Sequence, residues 1–128
     1  MREQPSAAEL IDAVAGFITS EIAPTLTGRL AFHARVAANA LAIVKRELEQ
    51  GQAADHADAA RLKGLLGMDG DNGALTEELC RRIATGEIAA DDPALIDHLW
   101  ATTLATVAVD QPNYGTYRAI VAAEKGGM

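Results

Sequence analysis

Cysteine is nearly missing from this chain: its 128 residues hold one, Cys80. A single thiol excludes an internal disulfide and any metal site built from several thiolates. Aromatic residues make up only 4% of the sequence, and β-branched and aromatic clusters of the kind that fill strands are few. Basic side chains are also short, with 11 Lys and Arg against 18 Asp and Glu and a net charge of -7. Nucleic acid and anionic lipid are bound through clustered Lys and Arg, so this balance argues against both. The opening MREQPSAAEL carries no apolar targeting core and no cleavage signal. The most apolar stretch is too short and too interrupted for a membrane span. These absences point to a cytoplasmic protein with neither nucleic acid nor membrane as partner.

Catalytic and cofactor motifs are missing as well. Nothing matches G-x-x-x-x-G-K-[ST], G-x-G-x-x-G between strand and helix, H-E-x-x-H or G-x-S-x-G. The loop DGDNG resembles a calcium loop only superficially. Counted from Asp69, the positions that need Gly and a bidentate Glu are Ala74 and Cys80. No catalytic residue, cofactor or metal ligand is therefore assigned, and an enzyme is the less favoured class. Cys80, at an inward helical position, reads as a buried structural thiol.

What the chain does hold is helix. Between Leu30 and Val44 only His33, Arg35 and Asn39 interrupt an apolar run free of Gly and Pro. Leu30, Ala34, Ala37, Leu41, Val44 and Leu48 repeat at alternating four- and three-residue steps, a seam of heptad type. The expected fold is all-α: a compact single-domain bundle of about five to six helices around a central apolar helix, residues 28–50. Gly51 is the expected stop, followed by a polar loop to residue 58 and a short helix through Ala59, Leu62, Leu65 and Leu66. Before it, Ser6 and Glu9 have capping-box spacing, and Leu10, Val14, Phe17, Ile18 and Ile22 form one apolar face ending at Pro24. After it come GMDGDNG as a loop, a helix over 75–85 closed by Gly86, and a helix started by Asp92 and Pro93 and ended at Pro112. A final helix, capped by Asn113, carries Tyr114, Tyr117, Ile120 and Val121. The whole reads as one domain, 1–128, with an unstructured tail at 124–128.

Candidate binding residues follow from polar side chains in apolar surroundings. His33 falls in the core-facing arc of the central helix with Arg29 one turn before it, so it is either a core histidine held by one hydrogen bond or a ligand contact, with Asp97 and His98 as possible complements. Arg35 and Asn39 are neighbours on a flank and serve either structure or binding. Asp110 and Tyr114 frame the Pro112 turn, where capping and packing compete with a binding role.

Three stretches, GRLAFHARVAANALAIVKREL at 28–48, ELCRRIATGEI at 78–88 and VDQPNYGTYR at 109–118, together with PSAAELIDAVAGFI at 5–18, carry a family likeness. The chain resembles an uncharacterised family of small all-helical bacterial proteins encoded beside aminoglycoside-phosphotransferase-like kinases and acyl-CoA dehydrogenases. The resemblance implies an accessory role near acyl-CoA metabolism and supplies no catalytic residues. Two function classes follow. One is a non-catalytic accessory protein that binds such a kinase or dehydrogenase. The other is a binder of acyl-CoA or a nucleotide-like molecule, or an unrecognised enzyme, with an interhelical pocket near Arg29, His33, Arg35 and Asn39. A homodimer is compatible with both, because the apolar stretch is broad for one chain to cover.

Overall fold

The computed structural model describes residues 4–126, which form five α-helices and no strand. They divide into two compact units, one ending at Gln52 and the other beginning at Ala53.

The amino-terminal unit opens with α1 (Ala7–Phe17), and Ser6 caps it: in extended conformation, its Oγ accepts the Glu9 N–H at 3.1 Å. Helical winding continues as a wider π turn over Ile18–Ile22 and a tight 3₁₀ turn over Ala23–Thr25. Pro24 lies in that tight turn; it has no N–H to donate and ends the ladder. Leu26 is extended, and Gly28 turns the chain at φ +62°, a conformation that disfavours any side chain. The following helix, α2 (Gly28–Leu66), returns antiparallel to α1. Asp12 and Lys45 stand almost equally far from the turn and pair at 3.2 Å. No residue of α1 is fully buried, and Ile11, Ala15, Ile18 and Ile22 are half-buried.

The expected break at Gly51 does not occur. α2 runs without interruption from Gly28 to Leu66, so the loop at 51–58 and the separate short helix are replaced by one helix. One glycine costs a helix only about 1 kcal/mol relative to Ala. The alanine-rich segment after it, QAADHADAA, offsets that cost with strong helix formers. The actual stop is Gly67, at φ +65°, whose N–H bonds the Lys63 carbonyl at 2.9 Å.

The second unit has the core. Leu62 and Leu66 of α2, Leu75 and Leu79 of α3 (Asn72–Ala84), and Leu95 of α4 (Pro93–Asp110) form one buried cluster, with Leu65, Ile83 and Ile88 packed against it. Fully burying such a side chain is worth about 1.5–3 kcal/mol. Asp71 caps α3 through Ala74 N–H, while Asp92 caps α4 through Ala94 and Leu95 N–H ahead of Pro93. Arg82 reaches back to donate to the Leu66 carbonyl at 3.0 Å, placing a cation at the negative end of α2. Glu78 holds Arg82 and Arg81 together, and the two guanidiniums keep its carboxyl down at about 2. Cys80, expected inward, is exposed, because Leu79 takes the buried position. The last helix, α5 (Gly115–Gly126), touches α4. It includes Glu124 to Gly126, expected to be unstructured, since Ala122, Ala123, Glu124 and Lys125 are good helix formers. The rest of that tail lies outside the described residues.

Candidate functional site

Of the eight residues singled out above, Arg29, His33, Arg35 and Asn39 lie on the amino-terminal stretch of α2, and all four are exposed, while Asp97 and His98 belong to α4 of the second unit. His33 is not a core histidine. Its ring meets the neighbouring Phe32 ring edge-on, at 5.6 Å between centroids. The arc it shares with Leu30 is left open, because the buried contact of this stretch is made by Ala31. At 100° per residue, the Arg29–His33 pair and the Arg35–Asn39 pair point roughly 120° apart around the axis. They do not converge on one ligand.

In the second unit α4 has two distinct sides, centred roughly 120° apart around its axis. One side carries the buried Leu95, His98 and Val109. The other carries Ile96, Leu99, Trp100, Thr103, Val107 and Asp110 within an arc of roughly 100°. Ile96, Leu99 and Trp100 keep 49%, 45% and 49% of their surface in solvent. A helix apolar all round belongs inside a larger body, and here half of it faces outward. Asp110 stands at the carboxyl end of this outward face. Tyr114, also exposed, follows in the turn that leads to α5.

Behind that face lies a polar network that sequence reasoning missed. Asp58 and Arg61, one turn apart on α2, meet His98 and Thr102, one turn apart on α4. Arg61 Nε donates to His98 Nδ1 at 3.2 Å, and its Nη2 donates to Asp58 Oδ1 at 3.2 Å and Thr102 Oγ1 at 3.3 Å. Thr102 Oγ1 donates to Asp58 Oδ1 at 2.7 Å. His98 Nε2 lies 3.7 Å from the same oxygen. An imidazole that accepts at Nδ1 carries its proton on Nε2 and is neutral. Burial pushes the His98 pKa below its ordinary value. The Asp58 carboxylate opposes that shift and the Arg61 charge adds to it. Among the described residues no buried side-chain nitrogen or oxygen lacks a partner, so the network has no idle donor or acceptor aimed at a ligand. What it does chemically is lock α4 onto α2, fixing which side of α4 faces outward. A helix through 51–58 makes the i, i+3 spacing of Asp58 and Arg61 visible in the sequence, but not their partners on α4.

Residues 24–114 match the family described as Domain of unknown function (DUF6285). The chain belongs to this family. The matched segment contains the whole of α2, α3 and α4, and with them both the network and the outward face. No curated protein and no solved structure matches the chain. No helix of the described residues is long and apolar enough to cross a membrane.

Proposed function

We propose that this chain is a non-catalytic accessory protein of the cytoplasm that docks on a partner protein through the outward face of α4. The observation that carries this reading is the half-exposed trio Ile96, Leu99 and Trp100 on one side of a helix whose other side is anchored. Trp is the side chain most often found dominating the energy of a protein interface, as an aromatic anchor in a partner's pocket. α4 carries Asp97 and Asp110 and no Lys or Arg, so the matching groove is apolar with a basic rim. The phosphotransferase-like kinase and the acyl-CoA dehydrogenase implied by the family resemblance are the first partners to try.

Trp100 is the only tryptophan, so its fluorescence reads docking directly. Titration of the full chain with each purified candidate is expected to shift the emission to the blue as the ring leaves water. Trp100→Ala, followed by co-elution, is expected to weaken binding by at least about 30-fold, the size of a hot-spot loss. If neither candidate shifts the emission, or if Trp100→Ala and Leu99→Ala both leave the affinity intact, the reading fails. Thermal stabilisation by acyl-CoA without any protein partner would favour the small-molecule alternative.

A further inference from the structure

A second surface, independent of α4, lies on the amino-terminal hairpin. Leu10, Val14 and Phe17 of α1 keep 54%, 50% and 56% of their surface in solvent, and Leu30, Val44 and Leu48 of α2 keep 59%, 46% and 51%. On α1 this exposed stripe sits one residue before the half-buried Ile11, Ala15 and Ile18, roughly -100° around the axis. On α2 the exposed stripe sits roughly 90° in the same sense from the buried Ala31 and the half-buried Ala38 and Lys45. In an antiparallel pair, equal offsets of the same rotational sense bring both stripes to one side of the hairpin. That side therefore presents two parallel apolar ridges at heptad spacing.

We infer that a second copy of this chain covers this side, the two hairpins closing into an antiparallel four-helix arrangement about a twofold axis. Three features select that occupant. The first is steric. In heptad register Leu30, Ala37 and Val44 occupy one seam position and Ala34, Leu41 and Leu48 the other. Running two copies of α2 antiparallel pairs Leu48 with Leu30 of the second copy, Leu41 with Ala37 and Ala34 with Val44. Two of those three layers set a large side chain against a small one. A parallel pairing sets Ala34 and Ala37 each against itself and leaves voids, which cores avoid. The second is polar complementarity. The same antiparallel register puts His33 beside Glu47 of the second copy, twice by symmetry, and both side chains are exposed in the single chain. The third is area. Six large apolar side chains half in solvent present on the order of 500 Å². A standard-size protein interface buries about 800 Å² per partner, and at the apolar share of homodimer interfaces, about 65%, its apolar part is the same amount.

The test is the mass of the full chain by light scattering and sedimentation across micromolar concentrations. The expected value is twice the chain mass. Val44→Glu with Leu48→Glu is expected to return the chain mass while circular dichroism keeps its helical signal, since both residues already face solvent. His33→Glu is expected to weaken association at least about tenfold by placing it against Glu47, and adding Glu47→Lys is expected to restore it. A wild-type chain of single mass overturns the inference. So does a dimer indifferent to the Val44 and Leu48 substitutions. A His33→Glu defect that Glu47→Lys does not repair overturns the antiparallel pairing. Trp100→Ala leaves the dimer mass unchanged, so failure of the α4 reading and failure of this one are separately visible.

Discussion

His98 shows how a single buried side chain turns into a measurable pH dependence. The residue is 5% exposed, its Nδ1 accepts from a guanidinium, and burial lowers its pKa from the ordinary 6.5. Protonation would put a second positive charge beside Arg61 and remove the acceptor that Arg61 uses. The unfolded chain binds a proton as pH falls through 6.5, whereas the folded chain resists until a lower pH. Below 6.5 the unfolded state therefore holds more protons, and stability falls with pH down to the folded-state pKa. Thermal unfolding of the wild type is expected to show a midpoint that drops from pH 7 toward pH 5. In His98→Gln, which keeps a polar side chain of similar reach without the titration, that slope is expected to flatten. Equal slopes in the two proteins would mean that another group sets the dependence. Asp58 forms the counterweight, since its carboxylate favours the charged imidazole, and the observed direction says that desolvation outweighs it.

At the scale of elements, the decisive residue is Gly51, inside α2. It is buried, with the Glu47 carboxylate lying over it. A methyl group added there meets first the far end of that flexible side chain, and Glu47 is itself exposed. Gly51→Ala is therefore expected to stabilise the chain by about 0.5–1 kcal/mol through helix propensity and a less free unfolded state. A rise in the denaturant midpoint at unchanged m checks it; a fall would mean that the Glu47 contact matters more than the backbone. The same glycine explains what was legible in the sequence. Helix starts were readable because Ser6, Asp92 and Pro93 act within one turn of their own backbone. The end of α2 was not, because the competition between one glycine and a following alanine run is decided by a difference of about 1 kcal/mol and by the core that Leu62 and Leu66 join further on. The heptad seam of Leu30 to Leu48 was visible as a pattern, but its exposure was not, since periodicity tells which residues share a side and not what covers it. The Asp58–Arg61–His98–Thr102 network lay beyond reach for a related reason. It depends on the register between two helices separated by the whole of α3, and no local spacing encodes that.

Across the whole molecule, apolar burial is distributed unevenly. The second unit contains Leu62, Leu75 and Leu95 almost without solvent exposure, supported by the Arg61 network and by Arg82 on the end of α2. The described part of the first unit buries Ala31 and no large side chain, yet it carries six half-exposed apolar residues at heptad spacing. Local opening free energy follows buried apolar contact, so α1 taken alone belongs to the low-stability end of the molecule and α3 to the high end. In the proposed pairing, a second copy of the chain adds its contacts along the hairpin of the first unit. Association that favours the folded form contributes stability that rises with concentration, whereas packing within one chain does not. Hydrogen exchange measured at several protein concentrations separates the two. Protection of α1 amides is expected to rise with concentration, by about tenfold for each 1.4 kcal/mol that association adds, while Leu75 to Ile83 of α3 exchange at rates independent of it. In Val44→Glu with Leu48→Glu, α1 is expected to lose the concentration dependence and exchange at the rate of the dilute wild type. Protection of α1 that matches α3 at every concentration would mean that the hairpin is stable by itself and that its exposed ridges serve something other than a second copy.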